Sequence, residues 1–292
     1  MKLNINKIMI IAAAVLVLIV LLVIFYIRPP VLIVTEESFL SLYSKKRVAR
    51  EASITGFSLF RQVKTVAVAN DAGFDIVPVA VLDVSSKPYC VIFPLRFARS
   101  AKLFNDQHPE ITVIILEGRY QDFEKPVETA INSDISNFFI YKTDINDDFY
   151  MAGRASVVLD QGKSGSVIVF NDRNMPSARE NFLRGLHDRG NLLDTRFYTS
   201  FSQYSESPNL SCAVVSGSGS ELFEKRLGVP VILFSWIDPA ILPADVILVI
   251  DDSPWVQAGQ AVKLSSSGQK NGYIKSKFHY LDRKKLDKSL LR

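Results

Sequence analysis

Between Lys7 and Arg28 lies an unbroken apolar run of twenty residues, Ile8 to Ile27 (IMIIAAAVLVLIVLLVIFYI). At a rise of about 1.5 Å per residue it matches the roughly 30 Å of bilayer hydrocarbon, so its length suits a transmembrane helix. A secretory signal peptide is the competing reading, but its apolar region runs only about 7–15 residues and ends at a small-residue cleavage site. Here Ala12, Ala13 and Ala14 come early in the run, the exit from Phe25 to Pro30 holds no A-x-A pattern, and no cysteine stands near it to take a lipid. An uncleaved signal anchor is expected. Lys2 and Lys7 precede the run, while Arg28 follows it, with Lys45, Lys46, Arg47 and Arg50 further on. Flanking charge orients mainly through short segments, and long domains translocate largely regardless of it. Residues 1–7 are therefore expected in the cytoplasm and 8–27 in a single pass of the inner membrane. The 265 residues from Arg28 onward are then extracytoplasmic, which in a bacterium means periplasmic.

That remainder is long enough for two lobes of ordinary domain size. The net charge of +4 is too small for a nucleic-acid-binding surface, so no nucleic-acid partner is expected. Cys90 and Cys212 each sit inside an apolar run (YCVIF and SCAVV), which reads as two buried free thiols rather than a disulfide.

Pro29-Pro30 ends the apolar helix. Short Val/Ile/Leu runs then alternate with helix-period segments. Strands are expected at Val31–Val34, Phe74–Leu82, Tyr89–Pro94, Ile111–Leu116 and Asn137–Tyr141, with helices at Phe57–Ala72 (stopped by Gly73) and Leu95–Gln107. Pro78 marks the second of these strands as an edge. The alternation restarts with helices at Asp147–Leu159, Pro176–Arg189, Glu221–Leu227 and Trp255–Leu264. Strands are expected among them at Ser166–Phe170, Arg196–Phe201, Cys212–Val215, Val231–Phe234 and Val246–Ile250. Continuous rather than alternating apolar strands indicate sheets covered on both faces, joined by right-handed crossovers. The expected fold is α/β: two parallel-sheet lobes after one N-terminal transmembrane helix. The first lobe takes residues 31–144 plus 251–267, and the second 145–250 plus 268–292.

Three stretches carry a family resemblance. GFSLFRQVKTVAVANDAGFDIVPVAV (Gly56–Val81) resembles the first helix and second strand of type I periplasmic binding proteins. Thr143 to Gly190 resembles that family's passage into its second lobe, with an Ala-Gly pair in one helix and Phe-x-x-Gly in the next. Val229 to Val262 resembles the strand ending in Asp and the return to the first lobe. Within the family, the basic membrane protein and purine-nucleoside receptor branch looks nearest. The stretch Thr35–Gly56, with Lys45-Lys46-Arg47, is longer than the usual first loop, and the lipid-acceptor cysteine usual in those receptors is missing. The resemblance implies a solute receptor that hands a small polar ligand, nucleoside- or sugar-like, to an ABC-type permease or a sensor protein. It implies no cofactor. The alternative is a scaffold or sensory component whose cleft has degenerated.

In open parallel sheets, ligands settle beyond the C-terminal ends of the strands. Candidate ligand-binding residues are therefore Glu37 and Phe39 after the first strand, Phe93 in the third, and Asp144 at the first crossover. From the second lobe they are Asn171, Asp172, Ser216, Trp236 and Asp238. Phe39 or Trp236 would stack a flat ring, and Asp144 or Asp238 would accept hydrogen bonds from sugar hydroxyls. Each has a plainer role open to it: the aspartates as caps or turn residues, Trp236 as core.

Enzyme chemistry finds little support. His108, His187 and His279 lie in unrelated elements without zinc-ligand spacing, and neither S-x-x-K nor G-x-S-x-G occurs. GKSGS at 162–166 lacks P-loop spacing and precedes a strand, and SGSGS at 216–220 reads as a flexible turn. Asp251-Asp252 are not read as a carboxylate pair, because adjacent residues at a strand end point to opposite sides. The basic tail Lys275–Arg292 reads as a last helix on the second lobe, with attachment to anionic lipid as the other reading.

Overall fold

A computed structural model describes residues 5–118, 137–162, 164–171, 176–188, 193–204, 209–217 and 221–286. Helix α1 (Ile5–Ile27) is long and apolar enough, over Met9–Ile27, to cross a membrane, and none of that stretch is buried against the rest of the chain. Only Arg28, Pro29 and Pro30 separate it from β1 (Val31–Glu36), whose six residues are all buried. There follow α2 (Glu37–Tyr43), α3 (Lys45–Leu59), β2 (Val63–Val68), α4 (Ile76–Val84), β3 (Cys90–Pro94), α5 (Ala98–Gln107), β4 (Thr112–Glu117) and β5 (Phe138–Thr143). The chain then runs through α6 (Ile145–Asp160), β6 (Ser166–Asn171), α7 (Pro176–His187), β7 (Asp194–Tyr198), β8 (Leu210–Ser216), α8 (Glu221–Glu224), β9 (Val231–Phe234) and β10 (Val246–Asp251). It ends in α9 (Pro254–Ser266), β11 (Asn271–Ile274) and β12 (Lys277–Tyr280).

The strands form two six-stranded sheets, ordered β11-β5-β4-β3-β1-β2 and β12-β10-β9-β8-β6-β7. The first is wholly parallel, and in the second only β12 runs antiparallel, against β10. Each sheet has an apolar cluster on both faces, which is why its strands read as unbroken Val/Ile/Leu runs. The α/β, two-lobe expectation holds. The chain passes between lobes three times: after β5, after β10, and between β11 and β12.

Three local expectations are corrected. The helix placed at Phe57–Ala72 is α3, ending at Leu59, followed by β2; the supposed long first loop is α2 plus α3. The strand placed at Phe74–Leu82 is α4: Pro78 falls in its first turn, where the helix needs no donor, so proline is tolerated. The tail does not begin as a helix, since β11 and β12 occupy 271–280; residues 287–292 lie outside the described residues. β11 pairs with β5, so Asn271–Ile274 belong to the first sheet.

The Ala-Gly pair and the Phe-x-x-Gly have a physical reason. A Cβ on Gly153 in α6 would lie 2.2 Å from the Phe182 carbonyl oxygen, and one on Gly185 in α7 only 2.0 Å from that of Tyr150. The two helices touch backbone to backbone, and glycine is what lets them.

Candidate functional site

β1 exits directly into α2, and α2 meets the loop that leaves β9 of the other lobe. The Asp238 N–H donates to the Leu42 carbonyl (3.2 Å), and Phe39 packs against Trp236 with ring centroids 4.9 Å apart. The C-terminal ends of the two sheets therefore confront one another, as an interlobe cleft requires.

Of the residues picked out by position, the structure brings Phe39, Trp236 and Asp238 together, but against each other. Trp236, only 5 % exposed, joins the first lobe's core cluster, and its indole N–H donates to Asp252 Oδ1 at 2.7 Å. Asp238 accepts from the Ser44 hydroxyl (2.6 Å) and the Ala240 N–H (3.0 Å). Burial pushes its carboxyl up, but those hydrogen bonds and the nearby Arg47 and Lys46 charges outweigh it and hold the group below the ordinary aspartate range. Ser216 is buried at the end of β8, in register with Asn171 and Phe234. Asp144 is the N-cap of α6, accepting from the Asp147 N–H at 3.1 Å. Glu37 is exposed in the first turn of α2. Phe93 is fully buried beside Phe104 in the first lobe's core, on a strand covered on both faces. Asp172 lies outside the described residues.

Two further groups stand out in the structure. On the first lobe's strand-end edge, Glu36 pairs with Arg96, whose guanidinium also donates to the Asn70 carbonyl (2.6 Å); Lys142 pairs with Glu117 at 3.3 Å. These residues close β1, β3, β4 and β5 or the loop after β2. Their one available signal was position at a strand end.

The second group lies beside the crossovers. Asp251, fully buried, accepts from Arg47 Nη2 (2.6 Å) and the Tyr43 hydroxyl (3.0 Å) on one oxygen and from the Ser253 N–H (2.8 Å) on the other. His279 Nε2 stands 3.2 Å from the same Oδ2 and 3.0 Å from Arg47 Nη2, donating to the first or accepting from the second according to its tautomer. Arg47 also donates to the Ile237 carbonyl (2.8 Å) and lies over the Tyr43 ring, which stacks on Trp255. Burial pushes the Asp251 carboxyl up. The His279 hydrogen bond, the Arg47 and His279 charges and the Ser253 N–H together overcome that and set it below its usual range. Burial pushes the Tyr43 hydroxyl far up, so it stays protonated and donates. Asp252 turns instead toward Trp236 and Thr143. The adjacent aspartates serve different partners and form no catalytic pair.

A separate cavity of about 440 Å³ opens at the opposite, strand-start rim of the second lobe, lined by Leu159, Gly165, Leu210, Pro230 and Lys285 among others. It contains none of the position-derived candidates.

Compared with solved structures, the chain is similar to an ABC transporter periplasmic solute-binding protein from Actinobacillus succinogenes, with bound D-allose, at 12 % identity and a TM-score of 0.50. That match covers 90 % of this chain and 99 % of that one. The chain has the type I periplasmic-binding-protein fold. It is similar over 87 % of its length, and 88 % of the other chain, to an ABC transporter system solute-binding protein from Conexibacter woesei (10 % identity, TM-score 0.56). A transcriptional activator of the comK gene from Bacillus halodurans matches at 11 % identity and a TM-score of 0.57, over 89 % of this chain and 93 % of that one. At these identities the type I fold is what is shared. The sequence matches no protein-family model and no curated protein.

Proposed function

We propose that this chain is a membrane-anchored extracytoplasmic solute-binding protein that takes a small polar, sugar- or nucleoside-like ligand between its lobes, for a permease or sensor in the same membrane. The observation that carries the reading is the confrontation of two sets of strand ends across three crossovers, beside an apolar N-terminal helix that packs into neither lobe's core. Two lobes so joined can open and shut about their crossovers. The Glu36–Arg96 and Glu117–Lys142 pairs supply both acceptors and donors for hydroxyl groups at the first lobe's edge, and Ser216 stands at the second lobe's edge. Two of the three similar structures are solute-binding proteins of ABC transporters. No catalytic role is assigned.

The test is thermal unfolding of the full chain in detergent against panels of sugars, nucleosides and amino acids. A ligand at a hundred times its dissociation constant stabilises by about 2.7 kcal/mol. The stabilisation should fall away in Arg96→Ala and Glu117→Gln. If no compound moves the transition, solute capture is abandoned.

One observation favours a second reading. Phe39 and Trp236, either of which is expected by position to stack a ligand ring, pack against each other, and Ser44, Arg47 and Asp238 tie the same seam. A ligand-independent scaffold or sensory component would keep its cleft shut in this way. Small-angle scattering separates the two: a receptor contracts when its ligand is added, and a scaffold keeps one radius of gyration throughout.

A further inference from the structure

The end of α1 does not hang free of the first lobe. Phe25, two residues before the helix ends, stacks on Phe57 (5.9 Å between centroids, 22° between planes) and meets Phe60 edge-on at 5.9 Å. Arg28 lies over the Phe60 ring at 5.2 Å, and Arg61 donates to the Pro29 carbonyl at 3.2 Å while lying over Tyr89. Phe60 adopts φ 52°, a left-handed conformation that a bulky residue rarely accepts, and so directs its ring at Phe25 and Arg28. A Cβ on Gly56 would come 2.7 Å from the Arg61 carbonyl oxygen and 3.7 Å from Phe25 Cζ, so this junction is close-packed as well.

Around it the surface is apolar and then basic. Ile54 and Phe57, three apart on α3, are 49 % and 73 % exposed, and Arg50 is exposed on the same face, four residues before Ile54. Tyr26 and Ile27 are exposed beside them. A phenylalanine three-quarters exposed, stacked on the last turn of a bilayer-length helix, lies at the depth where that helix leaves the hydrocarbon. Three residues of linker, two of them proline, leave the lobe no length in which to lift away.

We infer that the strand-start rim of the first lobe is seated in the headgroup layer of the bilayer, with Ile54 and Phe57 reaching the acyl boundary and Arg28, Arg50 and Arg61 among anionic headgroups. Aromatic rings at the interface and arginines beside anionic lipid are the side chains that such a layer holds. The strand-start rims of β1, β2 and β3 then face the membrane, and their C-terminal ends, where the cleft opens, face away from it. The first lobe is a fixed base, and opening or closure is a movement of the second lobe above it. This rests on the reading of α1 as a membrane span.

Single cysteines carrying an environment-sensitive fluorophore test the docking in the full chain, reconstituted in vesicles of phosphatidylcholine and phosphatidylglycerol. The native thiols are fully buried and pushed up to about 12 by that burial, so they do not compete for label. Probes go at Leu16→Cys in α1, at Ile54→Cys with Phe57 intact, at Phe57→Cys, and at Phe223→Cys, an exposed position on the second lobe. The expected result is loss of emission at 16, 54 and 57 when the acyl chains are brominated, with 223 unchanged and quenched only by aqueous iodide. Emission at 54 and 57 that follows 223 while 16 is still quenched by bromolipid overturns the docking and leaves the span standing. Iodide quenching at position 16 overturns both.

Discussion

Two seams in this molecule are built from opposite materials. Within the second lobe, α6 and α7 meet through Gly153 and Gly185, where main chain lies against main chain. Between the lobes, α2 and α3 meet the β9 and β10 exits through Phe39–Trp236, Ser44–Asp238 and the Arg47–Asp251–His279 cluster. At those two glycines the first seam has no side chain to yield. The second is made of side chains that can exchange partners with water or ligand. A two-lobed protein that moves must place its rigid contacts inside lobes and its exchangeable ones between them, and this chain does so.

The largest effect that would break the comparison is at the charged part of the interlobe seam. Arg47→Ala leaves Asp251 buried without its guanidinium, a change that costs about 3–5 kcal/mol in comparable buried pairs. Chemical denaturation should show that loss. A change below about 1 kcal/mol, the range of exposed pairs, would mean that water already reaches the cluster. The same pair sets an acid limit. Asp251 is held below its unfolded value, about 3.9 for a free aspartate. Its contribution is therefore complete above that value and is lost as pH falls through the lower, folded one. Denaturation midpoints measured from pH 6 down to pH 2 should fall more steeply in the wild type than in Asp251→Asn. Parallel curves would remove Asp251 from the acid transition.

Next in size is the rigid seam. Gly153→Ala puts a methyl 2.2 Å from a carbonyl oxygen on α7, so the helices must part; overpacking of this kind costs about 1–3 kcal/mol. Gly162→Ala is the contrasting change, since its Cβ would meet nothing within 4 Å and any penalty comes from its φ of 75° alone. Equal losses at 153 and 162 would show that α6 and α7 slide apart freely and that this seam is no more rigid than the other.

The second lobe was more legible in sequence than the start of the first. From Ile145 to Ile250, the apolar runs at β6, β8, β9 and β10 fall where the strands are, because those strands are buried by their neighbours and the run itself is the signal. Helix α3 gave no such signal. It buries Arg47 and Glu51, polar residues in a stretch that reads as a long loop, because their partners Asp251 and Lys277 stand 204 and 226 positions away. Local periodicity cannot show a pairing at that distance. The same limit applies to the site. Position at a strand end marked Phe39, Trp236 and Asp238, but it could not show that they would meet one another, nor that Phe93 would turn into the core.

The smallest effect sharpens the comparison most. Aromatic pairs couple by about 0.5–1.5 kcal/mol beyond the area they bury. A double-mutant cycle of Phe39→Ala and Trp236→Leu should return a coupling in that range for the unliganded chain. The cycle cancels the donor that Asp252 loses when the indole is removed, because both Trp236 variants lack it. If a ligand ring enters between the two side chains, they lose each other as partners, and the coupling should vanish once ligand saturates the protein. If the cleft is permanently shut, the coupling persists at every concentration of every compound. The sign and size of one small number then decide whether the interlobe seam is a gate or a weld.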